Sequence, residues 1–388
     1  MAYSPRAEKL WGMRTTVVAL ATVAAVGLTV VPAQAATLPP PNDSALKSAL
    51  SGLPDADATG ALVRITGSKG FWQGTAGVHD YDMGGPVRPE GRFRIGSITK
   101  IFTAVLVLKL ADRGEVDLTQ PVQRYLPGVL PAGYPPIPVY TLLDHTAGLP
   151  HVNIPKMSDP QWVVEHRFDN WTPRQVLATV IKQPMVFAPG TAQRYSNSNY
   201  IVAGMLAEQV TGKSYARLVR EMIAEPLCLR STYYPEADPR LPNPTARGYF
   251  TVNGKLIDVT EMNQSIPWAA GGMISTASEL DTFITALLRG RLVAPNSMTR
   301  LFTVPGVSNH DTGKPANYSQ GLESETVNGV TVWGKTGTRY GYASGVFATR
   351  PLPGEEPERK LVYSVNATDK STTGPGERIR RIADAATR

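Results

Sequence analysis

The segment from Ile101 to Leu110 is apolar almost all round, which predicts a helix buried within the protein rather than lying on its surface. Arg94-Ile95-Gly96-Ser97 leads into it as a turn-like stretch, and Gly114 is expected to end it. Upstream, Ala61 to Gly67 and Phe71 to Val78 read as two strands joined by a tight Ser68-Lys69-Gly70 turn, a hairpin by length and composition. Before the hairpin a proline-rich lead, Leu38 to Pro41, runs into a short helix that Asn42 or Asp43 can cap.

From Val116 to about Met262 prolines are frequent and helical patterns alternate with long loops. Pro173 to Lys182, Asn199 to Val210 and Tyr215 to Ile223 are the expected helices, the second ending before Gly212. Near Trp268 the pattern shifts again, and Ser278 to Leu288 reads as a helix. Gly329-Val330 then separates strands at Gly321 to Thr326 and Thr331 to Trp333. Gly345 to Thr349 and Lys360 to Val365 follow as strands, and a helix from about Pro375 closes the chain. Strands at both ends with helices between them predict an α/β fold: one antiparallel sheet built from both chain ends, flanked by helices, with an inserted helical domain. The expected division is 37–115 with 266–388 for the sheet domain and 116–265 for the helical domain.

Residues 1–36 read as a secretory signal. Basic residues run up to Arg14, an apolar stretch spans Thr15 to Val31, and Ala33-Gln34-Ala35 supplies a small-residue cleavage site. The product is therefore expected to be secreted, with no stable membrane anchor. The leader's three basic and one acidic residues account for +2 of the formal +7, so about +5 remains on the rest of the chain. No basic cluster is interleaved with aromatics, which points away from nucleic acid and toward anionic surroundings such as a bacterial cell wall. With 42% hydrophobic and 18% charged residues the chain can afford a sizeable core. Cys228 is the one cysteine, which excludes an internal disulfide, and Pro226-Leu227-Cys228-Leu229 suggests that it is a small buried apolar residue.

Three short segments carry chemistry together: Ser97-x-x-Lys100, Tyr195-Ser196-Asn197 and Lys335-Thr336-Gly337. Ser97 and Lys100 lie on one helical face within reach of each other. A serine hydroxyl needs a base at neutral pH. Lys100 can be that base if burial or a neighbouring cation lowers its pKa, or Tyr195 can serve as a phenolate if the same cations lower its own; the sequence leaves both open. Asn197 offers an amide to a substrate carbonyl. Lys335 and Thr336 offer a cation and a hydroxyl to a carboxylate, and Gly337 lets a substrate lie against the strand. Alone, each motif has a plainer reading, as the idle Ser44-x-x-Lys47 near the start of the chain shows. All three in this order reverse that reading. The five histidines form neither H-E-x-x-H nor a G-x-S-x-G partner set, so neither a metal nor a cofactor is expected, and His145 reads as structural.

S-x-x-K, S-D-N and K-T-G mark class A β-lactamases and penicillin-binding proteins, and here a tyrosine replaces the first residue of the middle motif. The run Arg92-Phe93-Arg94-Ile95-Gly96-Ser97-Ile98-Thr99-Lys100, with Tyr125-Leu126-Pro127-Gly128, Leu142 to Leu149, Pro189 to Gly204, Gly271 to Thr276 and Gly334 to Thr338, resembles the secreted serine D-alanyl-D-alanine carboxypeptidases related to class C β-lactamases. The resemblance covers nearly all of the chain after the leader. It implies a β-lactamase/transpeptidase-like fold, an acyl-serine mechanism without metal and Ser97 as nucleophile. It also implies that the Thr338 backbone N–H is the second oxyanion donor and that Trp268 lines the substrate cleft.

Two departures bear on substrate. The carboxypeptidases that this chain resembles carry a histidine where Lys335 stands, and an arginine on the strand where this chain has Gly321-Leu322-Glu323. Glu323 is expected to repel a terminal carboxylate, Lys335 to supply the missing charge, and Arg339 to be an exposed loop residue. The resemblance therefore implies a D-alanyl-D-alanine carboxypeptidase acylated by penicillins and acting as a monomer on peptide, β-lactam or ester substrates. A β-lactamase or an esterase with the same acyl-serine is the alternative within the class. A non-catalytic peptidoglycan binder is the alternative outside it.

Overall fold

The computed structural model describes residues 38–152, 154, 157–368 and 374–388, so the 1–36 leader lies outside the described residues. Seven strands form one antiparallel sheet. Three come from the N-terminal part: β1 (Ala58–Thr66), β2 (Trp72–Asp80) and β3 (Gly84–Pro86). Two short strands, β4 (Arg92–Arg94) and β7 (Ile274–Thr276), pair apart from that sheet, and β5 (Tyr249–Val252) and β6 (Lys255–Asp258) form a separate hairpin. The other four sheet strands come late: β8 (Glu323–Val327), β9 (Val330–Arg339), β10 (Tyr342–Thr349) and β11 (Lys360–Ala367). Their order is β3-β2-β1-β11-β10-β9-β8, so the two ends of the chain meet where β1 pairs with β11, Ala61 opposite Val365.

Each face of this sheet packs on a different set of helices, which the strand pattern of period two dictates. On β1, Ala61, Val63 and Ile65 join Leu361, Tyr363 and Val365 of β11 against α1 (Asp43–Leu50) and the closing helix Gly374–Ala386, through Leu46, Leu50 and Ile382. Leu62 and Val362, one position along, face the other way into the main core. That core is centred on α2 (Thr99–Asp112), which is buried from Thr99 to Leu108. Its Phe102 ring stacks on Phe283 of the helix Ala277–Leu288 at 3.8 Å. Each fully buried Leu, Ile or Val of α2 contributes roughly 1.5–3 kcal/mol relative to exposure. The same cluster takes in Val122, Leu142 and Leu206 from the middle of the chain, so segment 116–265 shares its core with the sheet.

Several boundaries differ from the sequence reading for local reasons. The helix at Pro173 stops at Ala178, because Thr179 and Val180 donate to Val176 and Leu177, bonds of the tighter three-residue type. The helix at Tyr215 widens into a π turn over Arg220–Ala224. Cys228 is exposed rather than buried: its N–H donates to Glu225 O in a turn, and with φ near +56° its side chain leaves the surface while Leu229 takes the buried place. The largest difference is β9. It runs through Arg339, so Lys335-Thr336-Gly337 lies inside a strand instead of after one.

That strand crosses directly over the turn that carries Ser97. A short 3-10 turn, Gly96–Ile98, precedes α2, and a Cβ built on Gly96 would stand 2.6 Å from the Thr338 nitrogen, at φ +51°. From the other side, a Cβ on Gly337 would collide with the Ile95 carbonyl oxygen and the Ser344 hydroxyl. Glycine on both sides of the contact lets the two backbones touch. Gly337→Ala is therefore expected to lower stability by roughly 2–4 kcal/mol in denaturant melts. Hydrolytic rate should fall about 100-fold or more even in molecules that remain folded, because the strand is pushed off the serine turn.

Candidate active site

Four segments deliver the site. Ser97 comes from the 3-10 turn and Lys100 from the first turn of α2. Tyr195 sits in the loop before the helix Asn197–Thr211, and Lys335 is on β9. Ser97 Oγ lies 2.6 Å from Tyr195 Oη and 3.1 Å from Lys100 Nζ. Lys100 Nζ also donates to Asn197 Oδ1 at 2.8 Å and to the Ala270 carbonyl at 2.6 Å. Asn197 Nδ2 has no partner among the described residues, which leaves it available to a substrate carbonyl.

Lys100 is 1% exposed, and its burial, with Lys335 as a second cause, drives its pKa well below the ordinary lysine range. Removal of the Tyr195 hydroxyl from water pushes that phenol up, and its hydrogen bond with Ser97 offsets this only in part. The two directions favour Lys100 over Tyr195 as the base, of the two that the sequence left open. A neutral Lys100 amine has two N–H groups, which Asn197 and Ala270 accept, and one lone pair, which faces the Ser97 hydroxyl. The upward shift of Tyr195 disfavours a resting phenolate.

The Tyr195 loop is clamped by Gln193, which is fully buried and which sequence reasoning missed. Its Nε2 donates to the carbonyls of Asp144 and Tyr318 at 2.7 and 2.8 Å, and its Oε1 accepts from the N–H groups of Asn317 and Tyr318. A glutamine in a loop carries no pattern that announces such a role. His145 lies under Tyr195, ring centroids 4.6 Å apart, and its Nδ1 accepts from the Ser196 N–H. Burial, with the Lys100 and Lys335 charges nearby, drives its pKa well below the ordinary histidine range.

Lys335 is only 4% exposed, and its Nζ donates to Glu323 Oε2 at 2.7 Å and to Thr336 Oγ1 at 3.3 Å. The expected opposition between Glu323 and Lys335 is thus an ion pair, because β8 and β9 are neighbours with Glu323 opposite Gly334. Thr336 and Thr338 are both exposed. Trp268 does not line the cleft. It is buried in the core, 5.4 Å from Tyr215 and packed against Gly204, and its neighbours Ile266, Pro267 and Ala270 form the wall instead. Arg339 is not an exposed loop residue either. It ends β9 and its side chain turns into the cleft wall, where Nε donates to Gln264 Oε1 at 3.0 Å.

The cleft beside Ser97 encloses about 400 Å³ and is walled by Asn197, His151, Ile154, Met157, Ile266 and Arg339, among others. A larger open groove of about 900 Å³, between residues 128–135 and 178–185, has no serine, threonine, cysteine or histidine in its lining. No group of residues suited to a metal ion occurs among the described residues, nor does any helix long and apolar enough to cross a membrane.

A serine in contact with a buried lysine and a tyrosine, over a strand edge, is the arrangement that acyl-serine chemistry requires. The Beta-lactamase family model matches residues 16–387, and the chain belongs to that family. It is similar to a D-stereospecific amidohydrolase from Streptomyces sp., at 34% identity over 87% of this chain and 98% of that one, with a TM-score of 0.75. A D-amino acid amidase from Ochrobactrum anthropi SV3, solved with D-phenylalanine, is 25% identical over 88% of this chain and 98% of that one, with a TM-score of 0.72. Esterase EstB of Burkholderia gladioli is 31% identical over 174 residues, 42% of this chain and 43% of its own length. The chain spans about half the length, or less, of the curated relatives it matches.

For Lys100 to act as the base it must be neutral, and kcat/KM for an uncharged ester should then rise with pH through a limb centred well below 10.5. Removing the neighbouring cation favours the Lys100 ammonium and raises its pKa. The paired change Lys335→Met with Glu323→Gln, which leaves no unpaired buried charge, should therefore move that limb to higher pH. A stopped-assay pH profile of both proteins reads this directly, and a limb that does not move would place the proton elsewhere.

Proposed function

We propose that this protein hydrolyses esters and amides of D-configured acyl groups through an acyl-Ser97 intermediate, with a leaving group that needs no terminal carboxylate. The observation that carries this reading is the buried Lys335–Glu323 pair. Its two charges cancel, so the end of the cleft under Tyr195 offers no net charge to a carboxylate-bearing leaving group. The D-stereospecific amidohydrolase and D-amino acid amidase among the similar structures, and the esterase among the curated relatives, support the same substrate class.

In the proposed cycle Ser97 gives its proton to Lys100 and attacks the carbonyl. The backbone N–H groups of Ser97 and Thr338, brought together where Gly96 meets β9, receive the oxyanion. Tyr195 hands a proton to the departing alcohol or amine, and the proton that Lys100 took from Ser97 restores the Tyr195 hydroxyl, Lys100 Nζ standing 4.7 Å from the Tyr195 ring. Water then enters by the reverse path, giving the free acid and Ser97 with its hydroxyl restored. The leader read at 1–36 supports action outside the cytoplasm.

A second reading keeps the D-alanyl-D-alanine carboxypeptidase, acylated by penicillins. Thr336 supports it, since an exposed hydroxyl 3.3 Å from Lys335 Nζ suits a carboxylate. A non-catalytic binder has no need of Ser97, Lys100 and Tyr195 in mutual contact.

Ser97→Ala should abolish turnover, by roughly 10⁴-fold or more, and abolish labelling by a fluorescent penicillin while circular dichroism stays native. With wild type, kcat/KM for an amidated or esterified D-alanyl peptide should exceed that for the same peptide ending in a free carboxylate. Glu323→Gln, which uncovers the Lys335 charge, should reverse that ratio by about 10-fold or more. A wild-type preference for the free carboxylate would favour the carboxypeptidase instead.

A further inference from the structure

The two ends of the cleft differ in chemistry. Tyr195 Oη, which returns the proton to the departing group, stands on the same side as Lys335, whose Nζ is 5.2 Å from the Tyr195 ring. The leaving group therefore lies at that end. The lining of the 400 Å³ cavity includes neither Tyr195 nor Lys335; it continues along β9 past Thr338 to Arg339. The acyl part of a substrate bound to Ser97 occupies this cavity.

Arg339 is the one lysine or arginine among the described residues that line it. Besides the bond to Gln264, its guanidinium reaches the Met262 sulfur at 3.4 Å, a weak acceptor, and stands 5.1 Å from the Tyr340 ring. No Asp or Glu of the described residues forms an ion pair with it. The next cation behind it, Arg94, is 1% exposed and is held only by the carbonyls of Pro239 and Thr260, with Nη1 unpartnered. The two guanidinium groups oppose each other electrostatically, and Glu261, the acid that tempers Arg94, pairs with neither. Arg94 is withdrawn and Arg339 half-buried, neither has a carboxylate in contact, and an anion in the cavity would offset their mutual repulsion.

We propose that the cavity is an acyl-group subsite selective for acyl chains that themselves carry a carboxylate, such as dicarboxylic half-esters or acidic D-aminoacyl groups, with Arg339 as the residue that reads the charge. Ile154, Met157 and Ile266 pack against the methylenes between the reacting carbonyl and that carboxylate. The inference rests on the acyl-serine reading above, and it assigns the demand for negative charge to the acyl side, opposite the leaving group.

The test uses the full chain with p-nitrophenyl half-esters of succinic, glutaric and adipic acids against the butyrate, valerate and hexanoate esters. For at least one chain length, kcat/KM should favour the half-ester by roughly 10- to 100-fold, the range of a charge-assisted hydrogen bond. Arg339→Gln should bring that ratio close to one, and Arg339→Lys should restore part of it. A Ser97-dependent esterase indifferent to the terminal carboxylate at all three lengths would overturn the Arg339 assignment and leave the acyl-serine reading standing. So would a half-ester preference that persists in Arg339→Gln. Should that variant not fold, the wild-type ratio decides alone. Turnover of no ester, or turnover unaffected by Ser97→Ala, would overturn the acyl-serine reading itself.

Discussion

The site depends on one buried amine. Lys100 Nζ touches Ser97, Asn197 and the Ala270 carbonyl, groups that belong to the serine turn, the Asn197–Thr211 helix and the segment before β7. A lysine so deeply withdrawn is unfavourable as an isolated charge, and the fold answers with a complete set of polar partners. Those partners in turn fix the distance between segments far apart in sequence. The three contacts that set Lys100 against Ser97 also tie these segments to one another.

Around that amine the remaining charges are sorted by depth and by side. Lys335 is withdrawn and neutralised by Glu323, while Arg339, four residues along the same strand, is half-buried and has no carboxylate in contact. Alternation along β9 therefore presents two cationic residues of opposite character at the two ends of one cleft. A substrate laid across Ser97 meets a compensated charge on one side of its scissile bond and an uncompensated one on the other.

Much of this was legible in the residues. The apolar run after Lys100 announced a buried helix, and the strands at both ends announced a sheet closed by the two termini. Ser97 and Lys100 were visible as one helical face, and Tyr195, Asn197 and Lys335 through motifs whose spacing is chemical. What escaped was set by tertiary contact. Glu323 reads as a repelling acid until β8 is placed beside β9. Trp268 reads as a cleft aromatic until Gly204 makes room for it in the core. Cys228 and Arg339 were misjudged because an apolar triplet can be a turn and a residue after a motif can still be strand. Gln193 gave no signal, since its role lies wholly in four hydrogen bonds to backbone.

The pairing of β1 with β11 carries a consequence for the order of events on the ribosome. The hairpin of β1 and β2 is made early, yet one of its edges stays open until residues 360–367 exist. The serine turn is likewise made long before the strand that must cross it. Every nascent chain short of β11 is therefore an unfinished sheet with an exposed edge, and every chain short of β9 lacks the strand that packs on the serine turn.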